Sequence, residues 1–584
     1  AEDGIRDVAV TGVQTCALPI SNCCGWLNRG VAVGDGKVFQ GQLDGQMVAL
    51  DAKTGDVVWK SKLAVPTADG GVYAITAAPL YYNGMLYTGI SGGDRRARGF
   101  LAALDAKTGR EVWRFWTVPE PGQFGGDTWP APNDPNPIAA SAWKIGGANI
   151  WNTPAIDPEL GMLYFSTGQP GPAAIGVGAN RKGDNLFSAS IVALKLDGTY
   201  AWHFQEVHHD LWDFDTPSPV VLFEQTYNGQ PRKGIAHAGK TGWVYMLDRT
   251  NGKPLIGINE TPVEQDAARF TAPTQPIPVG DALIRHCPDP VPGWEIKCIF
   301  GVPNMPVVMS PGGNGGINWA NMAFNPQTGY FYVSAADRPA ARLLPEVGTR
   351  PVSIGVKYQG TYTALDSRTN KIVWQKKTPY SIGQGSGTLA TASGLLFHGE
   401  PDGKFQAMDA RNGDVLWQWQ TGAGADAPAI TYELDGVQYV TIAAGGVPTQ
   451  TTSYNGDLLW TFSLNGNPNG HVLKEFPAPP PPPTGIYWED QEMVQSERIR
   501  IVDFAFTPMR IGVEAGKPIS FQNAGSQAYT IVPSDGKDWK LGTIPAGQTA
   551  TITFNQPGTY NFWADANKYM AGQIVVRAPG QARN

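Results

Sequence analysis

Residues Met47–Trp59 read MVALDAKTGDVVW and residues Leu101–Trp113 read LAALDAKTGREVW. The two segments share one grammar. An apolar alternating run ends in Asp, a Thr-Gly turn follows, and a second apolar run closes on Trp. Alternation with period two buries one face of a strand, and a Gly-containing turn between two such runs signals a β-hairpin. The grammar returns in IVALKLDGTYAW (Ile191–Trp202), VYMLDRTNGKPL (Val244–Leu255), TYTALDSRTNKIVW (Thr361–Trp374) and FQAMDARNGDVLW (Phe405–Trp417). One hairpin cannot bury its apolar face alone, but neighbouring copies can, so such repetition means radial β architecture. The expected fold is all-β, a β-propeller whose recurrent Trp lies flat between adjacent blades.

Composition agrees with short strands and many turns: the 584 residues include 71 Gly, 48 Pro and 19 Trp. The net charge is −7, with no basic block. Nucleic acid and anionic membrane surfaces are therefore poor partners for this chain. No apolar run reaches the roughly 18 residues that a transmembrane helix needs.

The last propeller-like strand, GDLLWTFSLNG, ends at Gly466, and FPAPPPPPTG (Phe476–Gly485) follows it. A Pro run of this kind is a stiff, extended spacer. From Ile499 the alternation returns as a small β-sandwich. The expected boundaries are residues 21–470 for the propeller, 471–497 for the Pro-rich linker and 498–578 for the sandwich. Residues 1–20 are expected to be non-native, because VAVTGVQTCALPI (Val8–Ile20) resembles the translated read-through of a sequencing adaptor. On that reading Cys16 is accidental, and the true start, with its signal peptide, is missing.

Cys287 and Cys298 flank the Pro-rich PDPVPGWEIK and are expected to close that loop as a disulfide, which implies an oxidising compartment. Cys23 stands directly beside Cys24 in SNCCGWLNRG (Ser21–Gly30). An ordinary disulfide spans Cα atoms roughly 4.4–6.8 Å apart, whereas neighbouring residues sit about 3.8 Å apart. Two readings stay open for the pair: a strained ring of the kind found at functional sites, or two buried thiols acting as small hydrophobes.

Chemistry concentrates in EVHHDLWDFD (Glu206–Asp215). His208 and His209, each taken singly, read as satisfied core residues. Asp213 and Asp215 between apolar neighbours suit a hard cation or a general base.

From Cys23 to about Gly466 the chain resembles the pyrroloquinoline quinone (PQQ)-dependent alcohol dehydrogenases. The likeness rests on the adjacent cysteines followed by LNRG, the ALDAKTG…W repeats, GGANIWNTPAIDPELGMLYFSTGQP, HHDLWDFD and GKTGWVYMLDRTNG. It implies an eight-bladed propeller, with the N-terminal blade truncated here, and PQQ in an axial funnel. It also implies that Cys23–Cys24 is a disulfide platform on one face of the quinone, with Trp151 stacked on the other. Arg29 and Lys240 match the cations that hold the quinone's carboxylates and carbonyl oxygens. Thr76, Ser91, Gly92 and Gly93 match hydrogen-bonding positions around the ring, and Asp213 matches the catalytic base. The metal set is Asp94, Gln169, Asp213 and Asp215. Asp94 stands where the family has Glu, and Gln169 where it has Asn. The cation expected is Ca²⁺, with a lanthanide as the other option.

The implied activity is oxidation of an alcohol to an aldehyde or ketone, with electrons passed to an external acceptor such as a cytochrome c or a copper protein, in the periplasm. Gly385 stands where relatives often carry Trp, which suggests substrates bulkier than methanol. The sandwich resembles a cupredoxin. Its copper-ligand positions are Tyr529, Ala564, Asn567 and Met570, so no copper is expected, and without a C-x-x-C-H motif no haem is expected either. Two alternatives stand beside this reading: an aldose or polyol dehydrogenase using the same quinone, and a non-catalytic propeller scaffold.

Overall fold

A computed structural model describes residues 28–64, 71–171, 181–291, 294–302, 307–342, 359–378, 382, 385–446, 456–466, 493–502, 505–525, 527–565 and 567–580. Cys16, Cys23, Cys24, the segment 1–20 and the Pro run of the linker lie outside these residues. The described residues form two compact units. One runs to Asp210 and includes Asp215–Val220; the other holds Leu211–Phe214 and the residues from Val221 on.

The first unit contains three four-stranded antiparallel meanders, spanning residues 32–62, 80–116 and 155–205. The second contains four more sheets of three or four strands, at 221–248, 323–378, 389–420 and 430–462. Seven of the eight expected blades are thus seen among the described residues. A two-stranded ribbon (Ile258–Pro262 with Thr274–Pro278) precedes the fifth blade, and a small three-stranded sheet (Glu295–Lys297, Val307–Met309 and Ala340–Arg342) takes its last strand from between the second and third strands of that blade.

The repeat grammar has a structural explanation that extends beyond hairpin formation. In each of five blades the closing Trp pairs across the sheet with an Ala: Ala49 with Trp59, Ala103 with Trp113, Ala193 with Trp202, Ala364 with Trp374 and Ala407 with Trp417. The register slips at the next residue every time, and such a bulge re-aims the side chains beyond it. The Asp that ends the third strand then organises the turn. Asp51 Oδ1 accepts from the backbone N–H groups of Lys53 and Thr54, and Asp105 Oδ1 from those of Lys107 and Thr108. The backbone bonds hold the Asp51 carboxyl below its ordinary pKa, and the Thr108 hydroxyl, which donates to Asp105 Oδ1 at 2.8 Å, leads the same lowering at Asp105.

Three of these Trp residues reach the following blade. Their indole N–H groups donate to a carbonyl there: Trp59 to Ala106 (3.2 Å), Trp113 to Leu196 (3.1 Å) and Trp374 to Ala410 (3.2 Å). The turn glycine of the receiving blade lies against the ring. Gly109, Gly198 and Gly413 all have positive φ, and a Cβ on any of them would meet Trp59, Trp113 or Trp374 at 2.6–2.8 Å. The glycine of the motif therefore makes the turn and admits the neighbour's indole. Trp417 departs from the pattern: it is 38% exposed and packs edge-on against Phe462, 5.1 Å between centroids. Around it Leu416, Ile430, Leu434 and Leu459 are exposed.

The C-terminal region is a sandwich of one six-stranded and one four-stranded sheet, with strands from Val494 to Arg577. Its core includes Ile501, Ile511, Phe521, Ile531, Phe562 and Ile574. Tyr529 and Ala564, at two of the copper-ligand positions, are packed into this core. The other two, Asn567 and Met570, lie on the strand Asn567–Arg577.

Candidate active site

In the first unit the loop before the first blade is tied to the loop before the second. Arg29 N–H donates to the Thr76 carbonyl (2.9 Å), and its guanidinium Nη1 to Thr76 Oγ1 (2.8 Å). Thr76 Oγ1 is 2.6 Å from Ser91 Oγ. Thr76 and Ser91 are buried, and Ser91 is anchored by an isolated bridge to Ala74. Four positions named from the sequence, Arg29, Thr76, Ser91 and Trp151, therefore meet in one network, because the Arg29 guanidinium also lies 4.9 Å from the centre of the Trp151 ring.

Gly92 takes a left-handed backbone (φ 115°) and starts the single 3₁₀ turn Gly93–Arg95 that carries Asp94. Asp94 is exposed. The Gln169 side-chain amide donates to its carboxylate, and the Gln169 backbone N–H donates to Asp215 Oδ1 at 2.7 Å. Asp94, Gln169 and Asp215 thus form a chain of contacts, with Gln169 between two carboxylates. Among the described residues no three His, Cys, Asp or Glu side chains gather as a metal-binding group.

Beneath this turn lies a residue that sequence reasoning passed over. Asn149 is 2% exposed, and neither its Nδ2 nor its Oδ1 has a hydrogen-bond partner. A Cβ on Gly93 would lie 2.6 Å from its Oδ1. A buried, unpaired amide costs about 1–3 kcal/mol, so this one reads as a group kept for a ligand. The clue was present in GGANIWN, where Asn149 stands two residues before Trp151. An Asn in a Gly-rich loop nonetheless reads first as a turn former.

In the second unit Asp213 occupies the left-handed region (φ 66°). Its neighbours Trp212 and Phe214 are buried, whereas its own side chain is 42% exposed. Lys240 Nζ donates to Asp213 Oδ1 at 2.8 Å, and the Lys240 side chain is only 6% exposed. One carboxylate is therefore turned outward from a buried aromatic run and held by a buried ammonium. His209 and His208 play the structural part expected of them: His209 Nδ1 is 2.8 Å from the Gly183 carbonyl, and His208 Nδ1 is 2.9 Å from Gln205 Oε1.

Cys287 and Cys298 form a disulfide. At Gly385 a Cβ would lie 3.0 Å from the Trp319 ring and 2.6 Å from the Asp426 carbonyl, so Trp319, from another loop, packs against this position.

The residues present suit PQQ, a flat and strongly anionic molecule. The first unit offers a cationic group at Arg29, an aromatic face at Trp151, the unpaired amide of Asn149 and the oxygen donors of Asp94, Gln169 and Asp215, of a kind that suits a hard cation. The second unit offers the cationic group of Lys240 beside the Asp213 carboxylate.

Comparison with known proteins points the same way. Residues 21–291 and 355–440 match the family model described as the glucose/ethanol/alcohol dehydrogenase β-propeller domain, and residues 485–576 match the cupredoxin-like domain. The quinohemoprotein alcohol dehydrogenase ADH IIB of Pseudomonas putida is 34% identical over 80% of this chain and 67% of its own length. The quinoprotein alcohol dehydrogenase PedH of the same species is 35% identical over 76% of this chain and 77% of its own length. The crystal structure of the quinohemoprotein alcohol dehydrogenase of Comamonas testosteroni superposes with a TM-score of 0.62 at 30% identity, covering 78% of this chain and 70% of that one. With the repeats, the Asp213–Lys240 pair and these matches together, the chain belongs to the PQQ-dependent alcohol dehydrogenase family, as its β-propeller domain followed by a cupredoxin-like domain.

Proposed function

We propose that Asp213 is the general base of this alcohol dehydrogenase and that Arg29, Thr76, Ser91, Gly92, Gly93, Trp151, Lys240 and the unassigned Asn149 form the quinone's seat. The observation that carries the reading is the outward-turned Asp213 carboxylate, 2.8 Å from the buried Lys240 ammonium. A base of this kind must be ionised and within reach of the alcohol hydroxyl. Lys240 places a positive charge beside the Asp213 carboxylate, and the left-handed backbone aims the carboxylate away from the aromatic residues on either side. When bound, PQQ supplies the two-electron oxidant. Asp213 takes the hydroxyl proton, while Lys240 and Arg29 offer charge-assisted hydrogen bonds to anionic oxygens.

Ca²⁺ is the cation best suited to the oxygen set, because it accepts variable oxygen geometry. Asp94, Gln169, Asp213 and Asp215 would hold it, and the Gln169–Asp94 contact would open as it enters. The disulfide supports an oxidising compartment, the periplasm, where a soluble cytochrome c or copper protein would receive the electrons.

The test is a titration of the full chain with PQQ and Ca²⁺, followed by dye reduction with a panel of alcohols. Wild type is expected to bind the quinone stoichiometrically and reduce the dye. Asp213→Asn is expected to bind the quinone but to lose roughly 10²–10⁴-fold in kcat. Absence of quinone binding with either Ca²⁺ or a lanthanide would remove the reading.

A further inference from the structure

We infer that Phe300 is a positioning residue for Asp213, held in place by the disulfide-bounded loop. The inference rests on the reading of Asp213 as the base. Asp213 is confined through its two neighbours. Trp212 meets the Phe300 ring edge-on at 5.3 Å and 74°, and Phe214 does so at 5.9 Å and 75°. Trp212 and Phe214 are themselves stacked at 5.9 Å. The Trp212 indole N–H donates to the Gly301 carbonyl at 2.9 Å, so both the ring and the backbone at 300–301 grip the segment that carries Asp213. Rotating the Asp213 backbone would drag two buried rings off a third.

Phe300 is itself held with unusual firmness. It is 1% exposed, and its φ is 61°. A bulky residue in the left-handed region persists only where its surroundings over-determine it, and such positions cluster at functional sites. The surroundings are on view. Cys298 is bonded to Cys287, Gly301 N–H donates to the Cys298 carbonyl (2.9 Å), and Ile299 N–H donates to the His286 carbonyl (2.7 Å). On its other side Phe300 stacks on Trp243 at 6.1 Å and 25°. Trp243 lies three residues after Lys240, and its ring is 4.0 Å from that of His286. His286 Nε2 is 2.8 Å from the Thr241 carbonyl. One ring therefore sits between the segment bearing the carboxylate and the segment bearing its ammonium partner. Loosening it alters the aim of the pair without touching substrate or quinone.

The test compares Phe300→Ala, Phe300→Leu and Asp213→Asn with wild type. Amide hydrogen exchange is measured across residues 211–215 in the cofactor-free chain, with the strand Val244–Asp248 as the internal reference. Activity is measured in the quinone-loaded protein as kcat, KM and pH profile. Phe300→Ala is expected to speed exchange at 211–215 by more than about tenfold with the reference strand unchanged, to lower kcat by roughly 10–100-fold at constant KM, and to shift the acid limb of the profile. Phe300→Leu should fall between Ala and wild type. Asp213→Asn should lower kcat by roughly 10²–10⁴-fold with exchange unchanged. Unchanged exchange in Phe300→Ala overturns the inference, and so does faster exchange with unchanged kcat. If Phe300→Ala fails to fold, the Leu variant and Trp212→Phe, which loses the N–H donated to Gly301, carry the same comparison. Should wild type oxidise no alcohol, the functional reading falls, and the exchange result still decides whether Phe300 clamps the 211–215 segment.

Discussion

Glu400→Gln should make the protein's stability less sensitive to alkali. Glu400, Asp402 and Asp426 are 8%, 3% and 4% exposed. Burial first, and then the Asp402 charge, raise the Glu400 carboxyl from 4.5 to about 7, against the opposing pull of Lys404. The folded-state value lies above the unfolded one, so the folded chain binds the proton more tightly. The associated stability is complete below pH 4.5 and drains away as pH rises to about 7. A shift of this size corresponds to about 3 kcal/mol. Gln carries no proton to lose, and any fixed cost of its amide cancels between two pH values. Denaturant unfolding of both proteins at pH 4.5 and pH 8 reads the effect directly. The variant's stability relative to wild type should rise by about 3 kcal/mol across that interval. A difference that is the same at both pH values would refute the argument, as would wild type gaining on the variant at pH 8. Either result would mean that Glu400 is ionised in the fold and paired with Lys404.

Asn149→Ala should separate stability from binding. It removes a buried amide with no partner, so the cofactor-free protein should be unchanged or up to about 2 kcal/mol more stable, while PQQ affinity falls by roughly tenfold or more. Thermal unfolding of the cofactor-free chain and a quinone titration check the two halves, and a clear loss of stability with unchanged affinity would assign Asn149 to the core instead. Trp113→Phe loses the indole N–H donated to Leu196 and should cost about 1–3 kcal/mol. Gly198→Ala forces a Cβ to 2.7 Å from that indole at φ 88° and should cost about as much or more. The double variant should cost less than the sum, because the smaller ring relieves the clash, and unfolding of the three proteins in denaturant would show additivity if the glycine only makes the turn.

The blades were legible because their signals are local. The Asp, the turn Gly and the closing Trp act within about a dozen residues, and every copy repeats the same physics. What the repeat left hidden was the partner of each piece. That Gly198 admits Trp113 from the blade before it depends on two copies meeting, and Trp417 has the full motif yet lies half in solvent. The same division holds at the site. Arg29, Thr76 and Ser91 were named from motif positions and do share hydrogen bonds. Phe300 was missed because an apolar residue after a Cys carries no mark of the rings that will surround it. That Trp319 packs against Gly385 was hidden for a like reason, because an absent side chain does not disclose its neighbour.

Three departures from local rules fall on residues to which the chemistry is assigned. Asp213 and Phe300 both hold left-handed backbones, and Asn149 is buried with its amide unpaired. Each is a local cost that burial elsewhere in the fold offsets. The Trp docking bonds and the sheet pairings are therefore more than a scaffold for the site. They are the reservoir that allows a strained carboxylate, a strained ring and an unsatisfied amide to persist until a ligand with complementary polar atoms arrives. Binding that pairs Asn149 and the cations would return part of that cost as stability, by the ordinary linkage between ligand affinity and folding.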